Sequence, residues 1–195
     1  MRRILLLSLI LAAPVAAAQE GYVGLSFGSF DYEEEASDPI LGLVSDTVDQ
    51  YKIFGGFEIL QYLSIQVDYT KVGGIEDSAN FDTLQFGEVN YFLDMDMTIT
   101  SVAAVGMLPK DWGALIAGIG YYSSELDFRE AAILECCDPV SSDGTINDDG
   151  LLAMLGIEWR FGRFGARYAV RLEYDWFDMD GTDVSSLGLG FLYGF

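Results

Sequence analysis

The chain has 195 residues, enough for one domain, and its 51% hydrophobic and 14% aromatic content excludes a disordered polymer. Its 31 acids against 10 bases give a formal net charge of -21 at pH 7, which excludes nucleic acid as a partner because no basic surface exists to neutralise phosphates. Histidine is absent and there are only two cysteines, so neither a histidine general base nor a zinc ligand set is available.

Residues 1–18 come first in chain order. Arg2 and Arg3 precede an apolar run at 4–11, Pro14 breaks it, and Ala16-Ala17-Ala18 offers a small-residue cleavage site. The run is too short to cross a bilayer as a helix, which takes about 20 residues. A cleaved signal peptide over 1–18 is expected, with one mature domain over 19–195 that begins at Gln19 in an exported compartment. No cysteine follows the small residues, so lipid attachment is not expected there. No later stretch approaches the length of a membrane-spanning helix.

Apolar and polar residues then alternate with period two, the mark of strands with two unlike faces. At 22–30, Val23, Leu25 and Phe27 oppose Gly24, Ser26 and Gly28. At 50–59, Tyr51, Ile53, Phe57 and Ile59 oppose Gln50, Lys52, Gly56 and Glu58. At 63–70, Leu63, Ile65, Val67 and Tyr69 oppose Ser64, Gln66, Asp68 and Thr70. Strands at about 97–108 and 113–126 alternate less clearly. At 151–161, Leu151, Ala153, Leu155, Ile157, Trp159 and Phe161 oppose a face that ends in Gly156, Glu158 and Arg160. At 167–176, Tyr168, Val170, Leu172, Tyr174 and Trp176 oppose Arg167, Ala169, Arg171, Glu173 and Asp175. The last strand sets Leu187, Leu189, Phe191, Tyr193 and Phe195 against Gly188, Gly190 and Gly194.

Eight strands result, joined by links of alternating length. Tight turns are expected at Leu60-Gln61, Pro109-Lys110-Asp111 and Gly162-Arg163. Long connections are expected at about 31–47, 72–96, 127–149 and 177–183, with 72–96 open between a loop and strands that continue upward. All the long links then leave one end. The class predicted is all-β, an eight-stranded antiparallel up-and-down transmembrane β-barrel: a bilayer tolerates strands only in a closed sheet, and eight suffice to close one. A soluble barrel or sandwich would turn its apolar face inward. Trp112, Trp159 and Phe161 near the short turns, and Tyr69, Tyr174 and Trp176 toward the long links, suit the two membrane interfaces.

The leader, the opening Gly21-Tyr22-Val23-Gly24-Leu25-Ser26-Phe27-Gly28, the alternation and the terminal Phe191-Leu192-Tyr193-Gly194-Phe195 carry a resemblance. Over its whole mature length the chain resembles the small eight-stranded outer-membrane β-barrel family, the porin-like group that includes OmpX and the transmembrane domain of OmpA. The resemblance implies the outer membrane of a Gram-negative bacterium, with outer-membrane lipid around the barrel. It also implies that Phe191, Tyr193 and Phe195 form the signal read by the barrel-assembly machinery. The separate peptidoglycan-binding domain of some relatives is not expected after Phe195. Function is left open by the resemblance, since one fold hosts many functions.

The inward charges predicted are Lys52, Arg160, Arg167 and Arg171 against Glu58, Asp68, Glu158 and Glu173. They come from strands two, three, six and seven, while strands one, four, five and eight are expected to offer mainly Gly, Ser, Thr and Ala. Equal numbers suit an ion-pair network that plugs the lumen, because unpaired buried charge is costly. Pairs that re-partner to open a small pore are the alternative. The narrow bore favours the plug.

All the acids except Glu20, Glu58, Asp68, Asp111, Glu158 and Glu173 are assigned to the long links or their borders, Asp175 among them, with only Lys71 and Arg129 as bases there. Solvation and mutual repulsion explain such a rim, and divalent cations bridging it to anionic head groups are a further expected partner. The run 143–150 lacks the spacing of a calcium loop, so no bound metal is expected. Cys136 and Cys137 are expected to form a local disulfide in an oxidising compartment. No cofactor, no catalysis and no nucleophile elbow are expected, and the chain is expected to be a monomer. A structural or surface-interaction barrel is the function favoured, with a small pore or hydrophobic-ligand channel as the alternative.

Overall fold

A strand that crosses hydrocarbon must have its backbone bonds made by neighbours on both sides, so the first and last strands must meet. In the computed structural model they do. The strands are β1 (Gly21–Glu34), β2 (Val44–Leu60), β3 (Leu63–Thr83), β4 (Gly87–Lys110), β5 (Gly113–Leu134), β6 (Val140–Phe161), β7 (Arg167–Met179) and β8 (Thr182–Gly194). Each pairs antiparallel with the next, and β8 returns to β1 as a closed barrel. The structure describes residues 20–34, 44–83, 87–134, 140–161, 167–179 and 182–195. The β1–β8 seam runs from Tyr22↔Gly194 to Glu34↔Thr182. Below it, the Gly21 amide donates to the Phe195 carbonyl at 3.0 Å and the Phe195 amide to the Gly21 carbonyl at 2.8 Å.

The period of two decides which face is which. Phe27, Ile119 and Leu155 are 62%, 64% and 62% exposed, while their strand neighbours Ser26 and Met154 are 4% and 1% exposed. Large apolar groups stand on the outside and the packed residues line the bore. That is the order of a lipid-facing barrel and the reverse of a soluble one. The terminal face Leu187, Leu189, Phe191, Tyr193 and Phe195 is outward, at 45% to 71% exposure.

The wall has two heights. Strands β3 to β6 have 21 to 24 residues, against 13 to 17 for β7, β8, β1 and β2. β3 stays paired with β2 only up to Val72↔Gln50, where the register shifts at Gly73-Gly74, and β6 pairs with β7 only from Leu152↔Phe177 downward. Beyond those points β3, β4, β5 and β6 continue as a four-stranded sheet. The expectation of long loops over 127–149 and 31–47 is therefore corrected: strand structure runs to Leu134 and from Val140, and to Glu34 and from Val44. The open 72–96 segment is strand through Thr83 and again from Gly87. The lower rungs of this sheet keep the period of two, with Leu93, Met95 and Phe128 inward and Asp94, Asp96, Asp127 and Arg129 outward, and it is the density of outward acids that reads as loop.

The short turns fall at Gln61-Tyr62 and Asp111-Trp112, each about one residue later than expected. The turn expected at Gly162-Arg163, the leader at 1–18 and Cys136-Cys137 lie outside the described residues.

Candidate functional site

The interior of the bore is the candidate site. Its lower centre is divided across its width. Strands β4, β5 and β6 turn Ala103, Val105, Ile116 and Met154 inward, each 1% to 2% exposed. Strands β7, β8, β1, β2 and β3 turn charged and polar groups inward, joined from β6 by Glu158. Above both lies an apolar roof that includes Phe30, Val72, Met97, Ile99, Tyr122, Leu152, Phe177 and Val184. Tyr122 meets Phe177 edge-on at 5.4 Å, and Phe30 meets Phe177 at 6.1 Å. This corrects, for β4 and β5, the expectation that strands one, four, five and eight offer mainly Gly, Ser, Thr and Ala inward. Inward positions of a filled bore are packed rather than wet, so they accept Met and Ile as readily as Ser. Both faces of these strands are then apolar, which is why their alternation is weak.

The polar half is one connected network. On β7, Arg171, Glu173 and Asp175 share the inward face, one base followed by two acids. The Arg171 guanidinium donates to Glu158 Oε2 through Nε at 3.1 Å and Nη2 at 2.8 Å. Its Nη1 reaches Gln66 Oε1 at 2.7 Å and Glu173 Oε2 at 3.3 Å. Lys52 Nζ donates to Glu173 Oε1 and, at 2.6 Å, to Asp175 Oδ2. Gln66 accepts from the Tyr22 hydroxyl at 2.8 Å and donates to Asp68 Oδ1 at 2.9 Å, and Ser101 Oγ donates to Asp68 Oδ2 at 2.9 Å. The guanidinium of Arg171 also packs over the rings of Tyr22 and Phe54, at 5.4 and 5.2 Å.

Small residues make the long reaches possible. Between β2 and β7 stand β1 and β8, which carry Ser26, Gly188 and Gly190 at this level. Lys52 passes over them to the acids of β7. Lower down, a Cβ on Gly24 would run into the Phe54 ring, which lies there against Leu192 and Ala169.

Of the predicted residues, Lys52, Asp68, Glu158, Arg171 and Glu173 meet in the bore and are 2% to 4% exposed. Arg160 sits at the lower mouth with its side chain 50% exposed, donating through Nε to Glu158 Oε1 at 2.6 Å and through Nη2 to Met107 Sδ at 2.8 Å. Glu58 lines the same mouth, a vestibule of about 480 Å³ bounded also by Tyr22, Met107 and Leu192. Arg167 opens β7 opposite Gly194, and its side chain lies outside those described. Asp175, assigned to the loops from the sequence, is 3% exposed and belongs to the network. The signal was present, because Asp175 has the same strand parity as Arg171 and Glu173. Gln50 and Gln66 were likewise legible only as polar positions. The run Gly24-Leu25-Ser26-Phe27-Gly28 has the letters of a nucleophile elbow. It lies in extended backbone inside β1, however, where Ser26 is buried and no strand-to-helix turn exposes it.

The family model described as outer membrane protein beta-barrel domain matches residues 4–195. No curated protein sequence matches the chain. The attachment invasion locus protein Ail of Yersinia pestis has a similar structure, with TM-score 0.56 at 13% identity over 92% of this chain and 100% of that one. Its complex with the heparin analogue sucrose octasulfate gives TM-score 0.58 at 11% identity over the same shares. Neisserial surface protein A gives TM-score 0.53 at 15% identity over 89% of this chain and 96% of that one. At these identities the likeness is one of fold.

Proposed function

The chain belongs to the outer membrane protein β-barrel domain family and resides in the Gram-negative outer membrane; from that premise we propose that it is a closed, non-enzymatic barrel whose tall outer sheet meets surface partners. The observation that carries this reading is the filling of the bore. The ion-pair network from Glu158 to Asp175 occupies one half, Met154, Ile116 and Val105 occupy the other, and the apolar roof lies above. An eight-stranded bore is only wide enough for such side chains. The same packing weighs against a hydrophobic-ligand channel, since the apolar groups of the roof touch one another. Absence of histidine and burial of Ser26 support a non-catalytic role.

Partner chemistry follows from the rim. The Yersinia pestis relative has been seen with a heparin analogue, a polyanion. In this chain the outward positions of the tall sheet include Asp94, Asp96, Glu125, Asp127 and Asp143, with Arg129 among them, so a cationic surface is the fitting partner. Asp96 and Asp127 stand directly opposite one another on β4 and β5, and like charges so placed repel. That pair supports divalent cations as rim partners. We further propose that the chain works as a monomer and that Phe191, Tyr193 and Phe195 serve assembly.

Vesicles reconstituted with the refolded chain test closure. They should retain glucose and potassium as well as empty vesicles do, and leakage clearly above the empty control would overturn the reading.

A further inference from the structure

The network is not balanced where it is deepest. Asp68, Glu158, Glu173 and Asp175 are all buried, and the bases buried with them are Lys52 and Arg171. Arg160 contributes from the half-exposed mouth and engages only Glu158 among these acids. Glu158 and Glu173 each contact a guanidinium or ammonium group. Asp68 is held by the neutral donors Gln66 and Ser101 and has no ion-pair partner among the described residues. Asp175 shares Lys52 with Glu173, through Oδ2 alone.

Two buried atoms in this region have no hydrogen-bond donor: Asp175 Oδ1 and Gln50 Oε1. Both are acceptors. Their side chains belong to one patch of wall. Asp175 stands opposite Ser186 of β8, whose Oγ lies 3.4 Å from Oδ2. The Gln50 amide crosses β1 to β8, with Nε2 3.8 Å from the point a Cβ on Gly188 would occupy, two residues along from Ser186. Lys52, two residues from Gln50 on the same inward face, already touches Asp175. Two orphaned acceptors call for a donor or a cation, and the surplus negative charge beside them favours the cation.

We propose that the bore binds one monovalent metal cation, of the sodium or potassium class, between Asp175 Oδ1 and Gln50 Oε1. Such an ion satisfies both acceptors and offsets part of the charge that Lys52 leaves uncompensated. A water molecule would satisfy the acceptors without altering the charge. A divalent ion would demand more anionic ligands, and among the described residues no group of three or more Asp, Glu or Cys side chains is arranged to hold one. The site depends on the buried charge count and holds whether or not the barrel conducts.

The test uses the full mature chain refolded in detergent micelles. Its thermal midpoint is measured in NaCl, in KCl and in N-methyl-D-glucamine chloride at matched ionic strength and fixed pH, so that screening is common to all three. A bound cation raises the midpoint in NaCl or KCl over the organic salt by about 3 °C at saturating concentration. Asp175→Asn should lose this difference while Lys52 keeps Glu173 and the barrel still shows its heat-dependent gel shift. Gln50→Glu, which adds a second anionic ligand, should enlarge it. Sodium-23 NMR linewidths should broaden on titrating the wild type into NaCl and broaden less with Asp175→Asn. Equal midpoints in all three salts, or a salt difference that Asp175→Asn leaves intact, would overturn the proposal in favour of water or a protonated carboxyl.

Discussion

Lys52 of β2 donates to Asp175 of β7 at 2.6 Å, across the full width of β1 and β8. The contact joins two residues 123 positions apart in the chain and exists because the intervening wall is lined by Ser26, Gly188 and Gly190. The bore is closed by side chains that reach, and the glycines are where they pass.

Removing the amine should be costly. Lys52→Met leaves Glu173 and Asp175 facing each other without their shared cation. An unpaired buried charge of this kind costs about 3–5 kcal/mol. Urea unfolding of the refolded barrel, followed by tryptophan fluorescence, should show that loss. Restoring the original net charge with Lys52→Met in the Glu173→Gln background should recover much of it.

Gln66 links the two arms of the network, since it accepts from Tyr22 and Arg171 and donates to Asp68. Gln66→Leu keeps the volume, takes one hydrogen bond from each of the three and leaves Asp68 Oδ1 without its donor. The expected cost is about 3 kcal/mol, because each buried polar group left unsatisfied loses about 1–3 kcal/mol. Ser64→Ala, which removes a hydroxyl only 3.3 Å from the Tyr22 oxygen, should cost far less. The same urea titration compares them.

The seam between first and last strands sets a steric test. A Cβ on Gly28 would fall inside the carbonyl group of Leu187, which is backbone and cannot yield without parting β1 from β8. A Cβ on Gly55, on the outward face, would meet only the Tyr22 carbonyl, at 3.4 Å. Gly28→Ala should therefore abolish or sharply reduce the heat-dependent gel shift, and Gly55→Ala should leave it unchanged.

Much of this arrangement was legible in the sequence, and the omissions have physical causes. Strands with one lipid face and one polar face, such as β3 and β7, announced themselves through Tyr69 and Asp68, or Leu172 and Arg171. The lower parts of β4 and β5 face lipid on one side and packed apolar groups on the other, so Ala103, Val105 and Ile116 gave no contrast. The upper sheet was hidden by its outward acids, since Asp94, Asp96, Asp127 and Asp143 read as loop although Leu93, Met95 and Phe128 alternate with them and pack inward. Asp175 was assigned to the rim because acids at a strand end are usually solvated. Only its parity with Glu173, and the glycines that open a path to Lys52, reveal its burial.

At the rim, Asp96 and Asp127 repel across the β4–β5 ladder. Chelation with EDTA should lower the thermal midpoint of the wild type in vesicles of anionic lipid. Asp127→Asn should shrink that drop by removing one of the two opposed charges. An unchanged response to EDTA would argue against cation bridging at this pair.

The most direct measurement of the closed bore is single-channel conductance of the refolded mature protein in planar bilayers, beside Arg171→Ala and Glu173→Ala. A filled lumen predicts a silent wild type, with current only in the variants that break the contacts from Arg171 to Glu158, Gln66 and Glu173. Steady, ion-selective current from the wild type would contradict closure and make the chain a small pore.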